Sequence, residues 1–302
     1  MTGRSLEKTV LVFSWTMVLI LSSSVLLLMG HLLIKGVPGL DINLIFGKAD
    51  PLQVLLGNQR VFEGIFAAII GTLCLISIAV SIAVPLGIGT GIYLAEYAGN
   101  FSKQVLGFFF DVLTGIPSIV IGLFGFSVAV FIHHHFSDNF GPCLLISGIS
   151  LAFLIMPYMI HYTRVSLESL PFELRSTALA LGATKFQNLR YILIPHSMSG
   201  LVSGIILSIG RCAEDTAVIL LTGVVVTAGI PTSLLSQYEA LPFYIYYLSN
   251  QYADLNELSK GYSACLILLA ICVVLFLLSW VVKRIAKSIA KKKTKWVTKK
   301  MI

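Results

Sequence analysis

Six long apolar segments dominate this chain and leave little choice of fold. They lie near residues 10–34, 65–95, 105–132, 143–163, 199–228 and 262–283. A helix of about 20 residues crosses the ~30 Å hydrocarbon core of a membrane, and each segment is long enough to do so. Because 57% of the residues are hydrophobic and only 12% are charged, a soluble fold is excluded. We therefore predict an all-α transmembrane protein with six spanning helices.

The positive charge is concentrated at the C-terminal end and predicts the orientation. Residues 283–300 contain nine Lys and Arg and no acid, so the rest of the chain has a net charge of −2. A basic stretch directly after a span is typical of a cytoplasmic anchor that faces anionic lipid headgroups, rather than of a nucleic-acid site. With six spans both termini are then cytoplasmic. The inside loops hold 16 Lys and Arg and the outside loops four, as the positive-inside rule requires.

A polar stretch at residues 166–195 interrupts the apolar pattern between the fourth and fifth spans. It predicts two short helices, which we call the elbow. In the first helix Leu174, Ala178 and Leu181 recur at helical spacing and form one apolar stripe. Gly182 follows as the expected C-cap, because glycine enters the left-handed conformation without steric cost.

The second helix of the elbow begins at Thr184 and Gln187, which have the spacing of a capping box. Pro195 marks its expected end. Its apolar stripe consists of Phe186, Leu189 and Leu193. By periodicity alone an ordinary amphipathic loop that joins two spans is the favoured interpretation of the elbow.

Glycine, proline and tyrosine add predictions about the spans and loops. Gly115 and Pro117 predict a kink in the third span. Small residues predict close helix packing in two places, Gly87, Gly89 and Gly91 in the second span and Gly200 with Gly204 in the fifth. The histidines 133–135 fall in an outer loop, where consecutive residues do not share a helix face, so no metal site is expected. A short interfacial helix with its tyrosines at headgroup level is expected to include Tyr238, Tyr244, Tyr246 and Tyr247.

Three charged residues, Arg211, Glu214 and Asp215, lie inside the fifth span. An ionised side chain there costs about 3 kcal/mol or more, so such groups usually pair and face a polar interior. Arg211 precedes the two acids by three and four residues, which places all three on one face of a continuous helix. The pattern leaves two interpretations open, a structural ion pair and an ion-translocation site.

Motifs for nucleotide binding and for common hydrolases are missing from the sequence. It has no G-x-x-x-x-G-K-[ST], no H-E-x-x-H and no G-x-S-x-G. We therefore predict no catalytic residues and no cofactor. If ATP drives the activity, a partner subunit has to hydrolyse it.

The elbow resembles the EAA loop of ABC-transporter permeases, whose pattern is E-A-A, three residues, G, nine residues, I-x-L-P. Ser176 occupies the glutamate position and Thr177 the first alanine position. The positions in register are Ala178, Gly182, Ile192 and Pro195. The resemblance implies that the elbow is a cytoplasmic coupling helix that docks into an ATPase subunit, with these four residues in that role.

Other segments, GIYLAEYA, DVLTGIPSIVIGLFGF, GRCAEDTAVILLTG and ALPFYIYYL, are similar to phosphate-transport (Pst-type) ABC permeases, and closer to the A-type than to the C-type subunit. The family pattern in the fifth span is R-A-x-G-E-T-A, in which Asp215 replaces the glutamate and Glu214 the glycine. The resemblance implies a translocation path that includes Arg211, Glu214, Asp215 and Thr216.

The resemblance also implies a type I importer fold and a set of partners. Residues 1–60 would form the N-terminal helix and outer loop, 61–284 the permease domain, and 285–302 a basic cytoplasmic tail. Expected partners are a second permease subunit, either distinct or a second copy, an ATPase dimer, an extracytoplasmic phosphate-binding protein, phosphate itself and membrane lipid. Alternatives are a permease for another oxyanion, such as sulfate or molybdate, and a secondary transporter or channel.

Overall fold

The chain is almost entirely helical in the computed structural model, which describes residues 3–47, 49, 54, 64–135 and 141–301, with side chains from residue 7 to 284. The α-helices are α1 (Gly3–Gly36), α2 (Ile42–Phe46), α3 (Phe66–Ile92), α4 (Asn100–Thr114), α5 (Ser118–His135), α6 (Leu144–Glu168), α7 (Phe172–Ala180), α8 (Lys185–Asn188), α9 (Ile194–Glu214), α10 (Ala217–Thr222), α11 (Leu241–Gln251) and α12 (Leu255–Met301). A 3₁₀ turn spans Val37–Gly39, and π-helical turns span Tyr93–Tyr97 and Leu189–Leu193.

Six of the described helical stretches are long and apolar enough to cross a membrane, which confirms the predicted fold class. They are Glu7–Gly39, Phe66–Tyr97, Ser118–His135, Leu144–Glu168, Lys185–Glu214 and Leu255–Arg284. The predicted outer loop at 35–60 lies only partly within the described residues and contains α2 there. The last helix, α12, continues through the basic segment to Met301, so this segment is a helical extension of the sixth span.

Helix α6 lies at the centre of the bundle. It packs against α3, α5, α9 and α10, while α12 packs against α9 and carries α1 on its other side. The main apolar core is built from residues of α3, α6, α9 and α10, with Leu75, Ile155 and Ile219 fully buried in it. This arrangement joins the second, fourth and fifth spans into one rigid unit.

Small residues allow the central helices to approach closely, as the sequence predicts. A Cβ atom built on Gly91 would lie 2.5 Å from the Cβ of Thr163 in α6, and one on Gly204 would lie 2.8 Å from the Cβ of Tyr162. Gly89 differs, because a Cβ atom there meets nothing within 4 Å. The prediction of close packing is therefore confirmed for Gly91 and Gly204, but Gly89 does not take part.

The third predicted span, residues 105–132, is two helices rather than one kinked helix. α4 ends before Gly115 and α5 begins after Pro117. Proline has no N–H and disfavours helical backbone in the residue before it, so with a flexible glycine beside it the chain breaks instead of bending. Only α5 is long and apolar enough to span a membrane in this part of the described chain.

Two predictions for the loops away from the elbow are wrong. The histidines 133–135 form the last turn of α5 rather than part of a loop. Tyr238 does not sit at the headgroup level but is fully buried in the main core, where burial raises the pKa of its hydroxyl. It shares the core cluster with residues of α3, α6, α9 and α10, which periodicity did not foresee. The expected short helix with Tyr244, Tyr246 and Tyr247 does form, as α11.

The close contact at Gly91 gives a matched test of the fold. Gly91→Ala is expected to lower the free energy of unfolding by about 1–3 kcal/mol, because the added methyl group overpacks the α3–α6 contact. Gly89→Ala, two residues away in open space, should leave stability unchanged or raise it by up to about 1 kcal/mol through helix propensity. Thermal unfolding in detergent measures both, and equal effects of the two substitutions would contradict the packing.

Candidate coupling elbow and charged helix end

The first half of the elbow is α7, and it ends as the sequence predicts. Gly182 has φ 84° in the left-handed region. Its N–H donates to the carbonyl of Leu179 at 3.0 Å, and the N–H of Ala183 donates to the carbonyl of Ala178 at 3.0 Å. This pair of hydrogen bonds is a Schellman motif, which satisfies the last carbonyls of the helix and turns the chain sharply.

The predicted capping box at the start of the second half is confirmed. The N–H of Gln187 donates to Oγ1 of Thr184 at 3.2 Å, and the N–H of Thr184 donates to Oε1 of Gln187 at 2.9 Å. Each side chain therefore satisfies a backbone N–H of the other. Because Gly182 and Thr184 are two residues apart, both helix ends are fixed within a very short turn.

The predicted end of the second elbow helix at Pro195 is wrong. α8 continues through the π-helical turn Leu189–Leu193 into α9, and Pro195 is the second residue of α9. Proline is tolerated in the first turn of a helix, and the wide turn before it relieves the clash of its ring with preceding carbonyls. The elbow is thus continuous with the fifth span.

The predicted coupling residues lie on the inner side of the elbow. Ala178 is buried, and Ile192 and Pro195 are half-buried. Their side chains therefore pack mainly within this chain and offer little surface to a partner subunit. Gly182 acts through its backbone alone.

The outer side of the elbow carries large apolar side chains that are exposed, and we call it the outer elbow surface. It consists of Phe172, Leu181 and Phe186. The sequence places Leu181 and Phe186 in the apolar stripes, but both side chains are exposed while other members of the stripes are buried. α7 ends at Ala180, so Leu181 no longer follows the helical face, and α8 is only one turn long.

At the other candidate site α9 ends among the charged residues. Nη1 of Arg211 donates to Oε1 of Glu214 at 2.8 Å. The two side chains are 39% and 63% exposed in the isolated chain, so the pair lies at the surface of this subunit. Nε of Arg211 is buried and has no hydrogen-bond partner among the described residues. The guanidinium therefore retains unused donor capacity.

Asp215 does not join this pair, which corrects the predicted charged face of three residues. The helix stops at Glu214, and Asp215 is extended at φ −79° and ψ 112°. Its Oδ1 accepts a hydrogen bond from the N–H of Val218 at 2.9 Å, and the residue is 6% exposed. The carboxylate thus caps the start of α10, and Asp215 and Thr216 are the two residues between the helices.

A carboxylate that sequence reasoning missed lies in the loop between α10 and α11. Oε1 of Glu239 accepts hydrogen bonds from the N–H groups of Ala228 at 3.0 Å and Gly229 at 2.8 Å. Burial raises the pKa of this carboxyl, and the two backbone donors oppose the shift. Nothing in the local sequence marks the residue, because its partners are backbone groups brought close by the loop. Its role is to hold that loop together.

The chain is similar to a family of transport proteins over most of its length. The pattern of the family described as binding-protein-dependent transport system inner membrane component matches residues 87–293. The phosphate transport system permease protein PstA of Haemophilus influenzae is 30% identical over 248 residues, which are 81% of this chain and 83% of that protein. The protein of the same name from Yersinia pestis is 34% identical over 62% of this chain and 60% of its own length.

The fold also has a counterpart of known structure. A chain of the MetNI methionine ABC transporter, in an inward-facing conformation, superposes with a TM-score of 0.58. The superposition covers 79% of this chain and 99% of that chain at 16% sequence identity. At that identity the likeness concerns the fold alone.

Two substitutions of Asp215 distinguish the effect of its charge on stability from the effect of its hydrogen bond to Val218. Asp215→Asn keeps a side-chain oxygen that accepts from Val218 and is expected to unfold near the wild-type temperature. Asp215→Ala removes the acceptor and should cost about 1 kcal/mol. Thermal unfolding of the two variants in detergent decides, and an Asn variant as unstable as the Ala variant would show that the charge matters instead.

Proposed function

Because this chain belongs to the family of binding-protein-dependent transport system inner membrane components, we propose that it is the permease subunit of an ATP-driven phosphate importer. It is a multi-pass protein of the inner membrane and a transporter subunit rather than an enzyme. The relatives in this family that carry a phosphate transport name support the choice of substrate. ATP hydrolysis belongs to a partner subunit.

The proposed assembly places this chain beside a second permease subunit, above an ATPase dimer and below an extracytoplasmic phosphate-binding protein. Both termini and the elbow face the cytoplasm, in line with the excess of Lys and Arg expected on that side. Residues 1–60 supply an N-terminal transmembrane helix and an outer loop, 61–284 the permease domain and 285–302 a basic extension that faces lipid headgroups. The elbow couples this domain to the ATPase.

The proposed path rests on one observation, the hydrogen bonding of the Arg211 side chain. Among the described residues its guanidinium has one hydrogen-bonded side-chain partner, the exposed carboxylate of Glu214, and its buried Nε is unpaired. Charges exposed on a spanning helix are costly against lipid, so this surface faces the second permease subunit or water. A guanidinium binds phosphate with the same two-pronged geometry as a carboxylate, so phosphate can replace Glu214 during passage.

Asp215 and Thr216 contribute to the proposed path through the backbone conformation of the break between α9 and α10 rather than through charge. Oδ1 of Asp215 accepts from the N–H of Val218, and Asp215 makes no hydrogen bond to Arg211 among the described residues. Only one carboxylate then has to be displaced by the anion. Thr216 lies at the break between α9 and α10, five residues after Arg211.

The outer elbow surface supports the coupling role. Phe172, Leu181 and Phe186 are exposed on a segment whose shape is fixed by the caps around Gly182. Exposed aromatic and aliphatic side chains on a rigid support are typical anchors of a protein interface. Ala178, Ile192 and Pro195 contribute by holding the elbow against the bundle.

Uptake of labelled phosphate tests the role of Arg211. Arg211→Gln alone strands the carboxylate of Glu214 and is expected to lower subunit abundance. Arg211→Gln with Glu214→Gln should restore abundance yet import no phosphate, because the cation that binds the anion is gone. The assay compares membranes with matched subunit levels, and unlabelled sulfate or molybdate as competitors test the choice of oxyanion. Near-normal uptake by the double variant would contradict the proposed path.

Replacement of the outer elbow surface tests the docking role. Phe172→Ser, Leu181→Ser and Phe186→Ser together are expected to reduce co-purification of the ATPase, because its anchors are lost. Subunit abundance should stay unchanged, since these side chains are exposed. Leu255→Ser, an equally exposed leucine far from the elbow, is the control. Full ATPase retention by the triple variant would place the docking site elsewhere.

A further inference from the structure

We propose that Glu96 and Arg175 form a latch that ties the end of α3 to the elbow and makes α3 move with it. The inference rests on the proposed coupling role of the elbow and extends it to a helix that is not joined to the elbow along the chain. Both residues are positioning residues, since they act through the helices that they connect.

The latch is an ion pair across a long sequence separation. Nη2 of Arg175, in α7, donates to Oε1 of Glu96, in the π-helical turn Tyr93–Tyr97 at the end of α3. The side chains are 25% and 19% exposed, so the pair is partly shielded from water. Electrostatic attraction between such groups is screened less than between fully exposed charges.

Arg175 is also held from the other half of the elbow. Nδ2 of Asn188 donates to the carbonyl oxygen of Arg175 at 2.8 Å, and Asn188 is buried. The backbone of Arg175 is therefore fixed to α8 while its side chain reaches α3. A movement of either elbow helix is passed directly to Glu96.

An apolar cluster lies beside the latch and joins the same helix ends. Its buried members are Leu167 from α6 and Leu189 and Leu193 from the second π-helical turn. Ile92 and Ala95 from the end of α3 pack against them. Both π-helical turns thus meet in one cluster, and such turns occur frequently at functional sites.

Arg175 supplies a contact that its neighbour does not. Ser176, at the position where the EAA pattern has glutamate, uses its hydroxyl to donate to the carbonyl of Phe172 at 2.9 Å within α7. The described structure therefore gives Ser176 no part in joining the elbow to α3. The guanidinium one residue earlier makes that connection.

The latch changes how many helices the elbow moves. α6 leads into α7 and α8 leads into α9 through the chain itself, so two spans follow the elbow without further contacts. α3 is not continuous with the elbow and follows it through its packing against α6, the apolar cluster and the latch, of which the latch connects it to α7. The close contact between Gly91 of α3 and Thr163 of α6 is then preserved, so the helices of the central unit move together.

The test uses the complete transporter, reconstituted with its partner subunits, and labelled inorganic phosphate. Glu96→Gln and Arg175→Gln are each expected to leave assembly intact but lower the phosphate imported per ATP hydrolysed at least about five-fold, the lower end of typical coupling between sites. Lys103→Gln is the matched control. It removes a cation from the ion pair with Glu168, which has similar exposure but joins α4 to α6.

A charge exchange separates the latch from a merely structural role. Glu96→Arg combined with Arg175→Glu rebuilds the pair and is expected to recover most of the imported phosphate per ATP. Unchanged coupling in the single variants, or an exchange variant no better than they are, would overturn the proposal.

A distance measurement distinguishes failure of the latch from failure of the proposed function. Spin labels at Tyr97→Cys and at Lys185→Cys, an exposed elbow residue outside the outer elbow surface, in a background without the native cysteines, report the separation of α3 and the elbow. Without substrate, Glu96→Gln should broaden the distance distribution, whereas Lys103→Gln should not. If the wild-type assembly imports no phosphate but the distribution still broadens, the latch stands and the substrate is wrong. An unchanged distribution would refute the latch.

Discussion

The requirement that every backbone N–H and C=O at membrane depth find a partner inside the protein governs this structure. Where the fifth span breaks, Oδ1 of Asp215 accepts from Val218 and starts a new helix. At the far end of the bundle, Oγ1 of Thr72 accepts from the N–H of Leu241 at 2.9 Å and so attaches the start of α11 to α3. Glu239 satisfies two further N–H groups in the loop between these points. At these places a polar side chain therefore accepts the hydrogen bond that a regular helix would otherwise supply, and irregular backbone is tolerated.

The charged residues at these breaks fall into two groups with different roles. Asp215 and Glu239 are committed to backbone groups and stabilise shape. Arg211 is held loosely by one exposed carboxylate, which suits a group that has to exchange partners. The carboxylate of Asp215, which resembles part of a charged cluster in the sequence, is thus structural, and Arg211 is the group that we propose for anion binding.

Local chemistry accounts for what could be predicted from the sequence. Apolar length located the six spanning helices, and the capping box at Thr184 and the glycine at 182 depend on residues within one turn. The break at Asp215 could not be predicted, because an aspartate after an arginine fits an ion pair and a helix cap equally well. Glu96 and Arg175 are 79 residues apart, so only the folded chain brings them together. The burial of Tyr238 likewise depends on how α10 folds back into the core.

The elbow owes its shape to Gly182 and to the side chains of Thr184 and Gln187, none of which belongs to the exposed apolar trio beside them. The shape of the turn and the exposed surface therefore depend on separate residues. Under the proposed coupling role, substitution of the exposed positions would change the fit to an ATPase subunit while the turn is preserved. A permease and its ATPase could then diverge together from related pairs without loss of the fold of the elbow.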